Sequence, residues 1–448
     1  MKLLSKLTLP LVLSSFLFQC APQNTTEKRN NTEPEKKPIT EVNEDELSEG
    51  KNLVAIKNVR LINGTGSGAL ENAMVVIKGN EISEIGPVNE IDIPSDVEVI
   101  DGSRMSMLPG FIDAHFHLDG NDDFPALFLQ HGITSVRDPG AWIESYDKVR
   151  KSGEMLPRLF LTGPHFDMPP AAYPKNSIIV RDEEETRNAV QTFYEQGASA
   201  IKVYFRLPLK SIRALCEEAT RLGIPTTAHL EIVNAMDAIN AGLNGIEHIT
   251  SFGTALLPMY EAEKYRQGML ADNNFRRAGR YQVWNQIDFT SQLTDQLLEF
   301  LVEKQTFVCP TLGAFEYRLS DSKTDSIRAG GFKKMMEFTG MVDAAGAQIV
   351  VGSHSWVPYA EVGWSYQHEM ILLKECGMSN MDIIKSATID NARFFRIEDR
   401  LGSIEVGKQA DFQLIEGNPL EDLESIFKIN KVMLNGEWVP RGVSDDKK

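Results

Sequence analysis

Residues 109–117 read Pro109-Gly110-Phe111-Ile112-Asp113-Ala114-His115-Phe116-His117, a short apolar run that stops on two histidines. A run this short and apolar reads as a strand buried on both faces, and its period of two points both imidazoles to the same side at its end. The pattern of an apolar run closed by a polar residue recurs at 132–138 (GITSVRD), 157–163 (PRLFLTG), 199–204 (SAIKVY), 224–229 (IPTTAH), 245–249 (GIEHI), 306–312 (TFVCPTL) and 347–354 (AQIVVGSH). Helical periodicity fills several of the intervals, at 183–196, 209–222 and 294–304. Strands and helices alternating in this way predict an α/β fold, a TIM-type (β/α)8 barrel over residues 109–402, with an open doubly wound sheet as the alternative. Residues 259–288 carry charge and aromatics (Tyr260, Tyr265, Tyr281, Trp284) without strand character and read as a helical insertion between the sixth and seventh strands.

On either side of the barrel the text is strand-like. Residues 51–108 hold VAIKNVRLI, a hairpin-like MVVIKGNEISEIG with a Gly79-Asn80 turn, and VEVID, while 403–440 hold ADFQLIEG and NKVMLNGEWV. The simplest arrangement is a small β-sandwich domain formed by both ends of the chain. Ahead of it, Met1 to Cys20 has the layout of a signal peptide: Lys2 and Lys6, then an apolar stretch from Leu7 to Phe18 that is too short to span a membrane as a helix. Leu17-Phe18-Gln19-Cys20 resembles a bacterial lipobox, with Gln19 departing from the usual small residue. That resemblance implies lipidation at Cys20 and a membrane-anchored lipoprotein of a bacterial cell envelope, or, without it, a periplasmic or secreted protein. Residues 21–50 are rich in charge, Asn, Thr and Pro and read as a disordered tether. Cys216, Cys309 and Cys376 show no paired spacing and read as free thiols.

The 448 residues are 42% hydrophobic and 24% charged, which excludes a wholly disordered chain and a polytopic membrane protein. Lys and Arg total 46 against 63 Asp and Glu, so the net charge of −17 repels phosphate backbones and argues against nucleic acid as a partner. Composition says nothing of oligomeric state.

Of eight histidines, His115, His117, His165, His229, His248 and His354 fall at the C-terminal ends of predicted strands, the face on which barrels build active sites. One such histidine is ordinarily a capping or core residue; six on one rim point to metal ligation, for which imidazole is the commonest ligand. His131 reads as structural, and His368 is left open. Lys202 ends the fourth strand in SAIKVY and points at the same centre. It is either a buried lysine paired with an acid or, having reacted with CO2, a carbamate able to bridge two ions.

Together these residues resemble the amidohydrolase superfamily, in its imidazolonepropionase- and prolidase-like branch. PGFIDAHFH is similar to its first-strand motif, IKVY to its carboxylated lysine, TAHL and IEHI to its later histidines, VRDPG (136–140) to the stretch after its second strand, and GSIEVGKQADFQLIEGNPLEDL to its return into a small β domain. The resemblance implies two divalent ions, zinc in type. His115 and His117 would hold the more buried ion and His229 and His248 the more exposed one, with a CO2-derived carbamate on Lys202 joining them. It further implies hydrolysis of a carbon-nitrogen bond of a small substrate through a metal-activated bridging water. The departure is at the eighth strand, where such proteins carry Asp and this chain reads Gly352-Ser353-His354-Ser355. His354 is therefore the expected proton carrier, without the negative charge an aspartate would bring. Tyr204, Arg206 and His165 are the expected substrate contacts, with Asp138 and Tyr173 as further candidates by position, and a cationic rim suits a carboxylate-bearing ligand such as a dipeptide or N-acyl amino acid. Three rivals remain at this level: a mononuclear deaminase, a lactonase on the same centre, and a metal-binding surface protein without turnover.

Overall fold

The computed structural model describes residues 37–93, 95–318 and 326–440. The signal segment, Cys20 and residues 21–36 of the expected tether lie outside the described residues.

Two parallel sheets form the centre. Phe111–Asp113, Ile133–Asp138 and Arg158–Leu161 make a three-stranded sheet. Ser177–Ile179, His165–Asp167, Ile201–Val203, Thr226–Ala228, Gly245–Glu247, Phe307–Cys309 and Gln348–Ile349 make a seven-stranded one in that spatial order. Backbone hydrogen bonds link the two sheets, Ala114 N to Val351 O at 3.0 Å on one side and Ser199 N, just ahead of Ile201–Val203, to Leu161 O at 2.8 Å on the other. In place of the expected continuous eight-stranded ladder, the chain forms a TIM-like arrangement of short strands that pair in two blocks. Two extra short strands, His165–Asp167 and Ser177–Ile179, join the larger block at the third-to-fourth crossover. The interior is packed with Ile112, Ala114, Phe160, Cys309 and Val350, all buried.

The helices form for local reasons. In Leu209–Leu222 the buried residues Ile212, Leu215, Cys216, Ala219 and Leu222 recur at helical spacing, and Gly223 ends the helix at φ 81°, a conformation cheap only for glycine. Glu183–Glu195 starts on Asp182, whose carboxylate accepts from Glu185 N at 2.8 Å, beside three acids in the first turn. The insertion is helical at Met259–Ala271 and Arg276–Gln286.

Both flanks of the chain meet in one hydrogen-bonded sheet of eight strands, not in the two sheets of the expected sandwich. Met105–Pro109 pairs antiparallel with Phe412–Glu416, placing Pro109 opposite Phe412 and Met107 opposite Leu414, then runs through Gly110 into the first barrel strand. The Leu70–Lys78 and Glu81–Pro87 hairpin turns at Gly79-Asn80, with Gly79 at φ 66°.

The tether expected to run to residue 50 is packed from residue 37 onwards. Val42 N donates to Leu159 O at 2.9 Å, and the buried Asn43 exchanges hydrogen bonds with Pro157 O and Leu159 N. Glu41, fully enclosed, is paired with Arg158 and with Arg400 at 2.6 Å, and Arg158 also grips Asp411 at 2.7 Å. Charged composition hid this, because the charges are satisfied internally. Burial alone would raise the Glu41 carboxyl, but Arg400 and Arg158 outweigh it and lower it below the ordinary 4.5. Glu41→Gln is expected to destabilise the protein by about 3 kcal/mol in thermal or denaturant unfolding at neutral pH. Since the folded-state pKa lies below the unfolded one, the contribution is present above about pH 4.5 and lost as pH falls through the folded value, so the gap between wild type and variant closes in acid.

Candidate metal centre and active site

The histidine-bearing strand ends converge. The ring centroids of His115 lie 4.9 Å from His117, 4.5 Å from His248 and 5.3 Å from His354, and those of His229 and His248 are 4.5 Å apart. His115 Nε2 and His117 Nε2 face each other at 3.1 Å. The nitrogens of His115, His117 and His354 lie close enough to share an ion, and so, as an alternative use of His115, do those of His115 and His248 with the Glu247 carboxylate; His229 falls in neither group. The first strand and the last loop are laced: His354 N donates to His115 O at 2.7 Å and His117 N to Ser355 Oγ at 2.6 Å. His354 and Ser355 accordingly sit at φ 59° and 53°, a strained pair of left-handed non-glycine residues. Gly352 makes room for this crossing, since a Cβ there would come within 2.6 Å of both Cys309 Sγ and His115 Cβ.

Four of the five imidazoles have a polar partner holding one ring nitrogen, the mark of metal-ligating histidines. His115 Nδ1 lies against the Glu247 carboxylate, His117 Nδ1 is 3.5 Å from Asp138, His248 Nδ1 is 2.6 Å from Thr311 Oγ1, and His229 Nε2 is 3.0 Å from Glu231. Among the described residues no other side chain hydrogen-bonds the His354 ring, which turns towards its own backbone. Burial holds His115 and His248 well below the usual imidazole value, His229 at about 4 and His354 at about 3, so all four are neutral at physiological pH. Burial opposes charge on His117 too, but Asp138 outweighs it and raises that ring. His115, His229 and His248, neutral and with one nitrogen already engaged, fit a divalent metal ion.

Lys202 is buried with Nζ 2.5 Å from Glu247 Oε2, the paired-acid reading of this residue. Glu247 also accepts from Thr227 Oγ1 at 2.8 Å and lies 3.5 Å from Arg137. Burial lowers the Lys202 ammonium against the pull of Glu247, towards the free amine that reacts with CO2.

A cavity of about 850 Å³ opens above this cluster. All of His115, His117, His165, Lys202, Tyr204, His229, His248 and His354 line it, as do Asp138 and Tyr173. His165 stacks on Tyr204 at 4.5 Å. Arg206 does not reach the cavity. Its guanidinium donates to Met269 O, Leu270 O and Asn273 Oδ1 at the end of the helix Met259–Ala271, so the expected substrate contact is a helix cap. The cations at the cavity are instead Arg276, Arg277 and Arg280, brought in by the insertion. Arg276 is buried, donates to Tyr204 Oη at 2.7 Å and lies over the rings of Tyr173, Tyr204 and Phe205. Arg280 pairs with Glu231 at 2.8 Å. Arginines at 276, 277 and 280 share one helical face, a pattern present in the sequence but without meaning until the insertion is placed over the barrel mouth. His368, left open by the sequence, binds Glu316 at 2.6 Å away from the centre.

Residues 106–439 match the profile of the Amidohydrolase family, and the chain belongs to that family. An adenine deaminase 1 from Latilactobacillus sakei is 22% identical over 399 residues, and an ochratoxinase from Aspergillus niger 23% identical over 438 residues, 81% of each chain. A segment of 89 residues is 35% identical to an adenine deaminase from Staphylothermus marinus. The chain spans 15% and 57% of the lengths of the Staphylothermus and Latilactobacillus deaminases. A solved Xaa-Pro dipeptidase with bound methionine superposes with a TM-score of 0.68 at 22% identity, covering 86% of this chain and 99% of that one. The Aspergillus niger ochratoxinase structure gives 0.67 at 19% identity, covering 87% and 97%.

Proposed function

We propose that this protein hydrolyses a carbon-nitrogen bond, amide or peptide-like, of a small carboxylate-bearing substrate at a two-ion, zinc-type centre. His115 and His117 would hold one ion, His229 and His248 the other, and a carbamate on Lys202 would bridge them. The observation that supports the reading most is the convergence of five imidazoles and Lys202 at the floor of one cavity, four of the rings being held on their other nitrogen. When bound, the ions polarise the scissile carbonyl and acidify the attacking water. The chain's own groups do the rest. His354, neutral and facing the cavity, accepts the proton of the attacking water and hands it to the departing nitrogen. Asp138, Glu231 and Thr311 keep the imidazoles in register, and the buried rings of Tyr204 and Phe315 exclude water around the reacting carbon.

Arg276 takes the place first assigned to Arg206 as the anchor for a substrate carboxylate, with Tyr204 and His165 alongside. Removing a hydrogen-bonded charged partner costs about 1.5–3 kcal/mol. Arg276→Met is therefore expected to raise KM about 10- to 150-fold for a dipeptide or N-acyl amino acid, with little change in kcat. The same substrate as its C-terminal amide should show no such difference between wild type and variant; an equal loss on both would remove Arg276 from substrate recognition.

A second reading, a single-ion deaminase in keeping with the adenine deaminases it resembles, is favoured by the Lys202–Glu247 pair, which leaves the lysine as a counter-ion. Hydrolysis of a dipeptide and N-acyl-amino-acid panel against ammonia release from aminopurines, with the ions counted on the same sample, separates the two. We also propose export and lipid anchoring at Cys20. Fatty-acid labelling of the protein expressed in bacteria should vanish in Cys20→Ser, and labelling that persists would refute the anchor.

A further inference from the structure

Between the strand Phe307–Cys309 and the helix Ser365–Glu375 lies a contact that the proposed chemistry does not use. Glu369, fully buried on that helix, points both carboxylate oxygens at backbone: Leu312 N donates to Oε1 and Gly313 N to Oε2, each at 2.8 Å. These are the first two N–H groups of the 3-10 turn Leu312–Phe315, so the carboxylate caps that turn from another element. The residue just ahead of the turn is Thr311, at φ 48° and ψ 48°. A β-branched residue rarely adopts that conformation, and it persists only where its surroundings over-determine it. Glu369 grips one side of this strained residue. On the other, the preceding backbone is tied to the His248 segment, His248 N to Cys309 O at 2.8 Å and Ile249 N to Pro310 O at 3.0 Å.

The strain serves a hydrogen bond. Thr311 Oγ1 donates its single proton to Pro310 O at 2.8 Å, so towards His248 Nδ1, 2.6 Å away, it acts as an acceptor. With the Thr311 proton on Pro310 O, His248 carries its own proton on Nδ1 and leaves the lone pair of Nε2 to an ion.

We propose that Glu369 is a positioning residue for the metal centre: by holding the Leu312 and Gly313 N–H groups it keeps Thr311 in the left-handed conformation that fixes the His248 tautomer. The proposal rests on the metal-centre reading above. Glu369→Gln keeps the shape but sets an amide NH2 against a backbone N–H. Thr311→Val removes the hydroxyl at constant volume, and Thr311→Ser retains it. Zinc affinity is measured by competition with a chromophoric chelator on each folded variant, with the bound ions counted. Loss of a partner that orients a ligand weakens metal affinity about 10- to 100-fold. Glu369→Gln and Thr311→Val are each expected to weaken one ion to that extent and Thr311→Ser to remain near wild type. The double variant should be no weaker than the weaker single one, because both act on one contact. Equal affinity of wild type and Glu369→Gln, or fully multiplicative losses in the double variant, overturns the proposal. Should Glu369→Gln not fold, histidine-labelled zinc-loaded wild type decides it by long-range proton–nitrogen NMR: His248 protonated on Nδ1 supports the assignment, and zinc coordination through Nδ1 overturns it. A wild type that binds no metal instead defeats the metal-centre reading itself.

Discussion

His354→Ala is expected to lower kcat by about 10²- to 10⁴-fold, the usual contribution of a positioned proton carrier, while changing KM little. The expectation follows from what surrounds the ring. His354 is the one imidazole of the five that no other side chain hydrogen-bonds among the described residues, it lines the cavity stacked on His115, and its backbone is pinned to His115. A ring held in place but not gripped by a carboxylate or hydroxyl is free to move a proton. Burial, with His117 and Lys202 nearby, keeps it neutral with a pKa of about 3. As a weak base it depends on strong acidification of the water, which ties its role to the ions. His354→Asp restores a carboxylate and is expected to remain active. A folded, metal-loaded wild type without turnover beside an active His354→Asp would contradict the mechanism and favour a surface binding protein.

Lys202→Ala is expected to reduce the bound ions from two to at most one and to lower kcat/KM by about 10³-fold or more, since metal polarisation is worth several kcal/mol and each 1.36 kcal/mol is tenfold. The same change leaves Glu247 buried with Thr227, the neutral ring of His115 and, at 3.5 Å, Arg137. A stability loss of about 3–5 kcal/mol should accompany it, because an enclosed carboxylate loses its ammonium. Stability and metal content therefore need to be read separately, by unfolding of the zinc-free protein and by ion counting on the folded fraction. A carbon-13 carbamate resonance in wild type prepared with labelled bicarbonate, absent from Lys202→Ala, would identify the bridge. If Lys202→Ala keeps a full metal complement, the bridging carbamate is wrong and the ion pair with Glu247 is the whole role of Lys202.

Much of the centre is legible in the sequence, because a strand of period two ending in a histidine leaves little freedom in where the ring points. His115, His117, Lys202, His229, His248 and His354 all reach one cavity for that reason. What was not legible depended on contacts between distant elements. Arg206, two residues past Tyr204, looked like a rim cation, but the helix Met259–Ala271 ends against it and takes its donors. Arg276 and Arg280 enter only because the insertion folds over the mouth. Glu369 and Thr311 are 58 residues apart in chain order and meet through a backbone turn that no spacing encodes. The segment 37–50, polar enough to look like tether, is ordered by Arg158, Arg400 and Asp411, none near it in sequence. The small domain is one sheet because Met105–Pro109 pairs with Phe412–Glu416 and so joins both ends of the chain in a single hydrogen-bonded layer.

The most direct test is to count the ions and assay the same wild-type preparation on the dipeptide and N-acyl-amino-acid panel, before chelation, after it, and after zinc is returned. The expected result is two ions per chain and turnover of a carboxylate-bearing substrate that is lost on chelation and regained with zinc. Turnover indifferent to chelation, or a folded two-ion protein that cleaves no carbon-nitrogen bond, would contradict it.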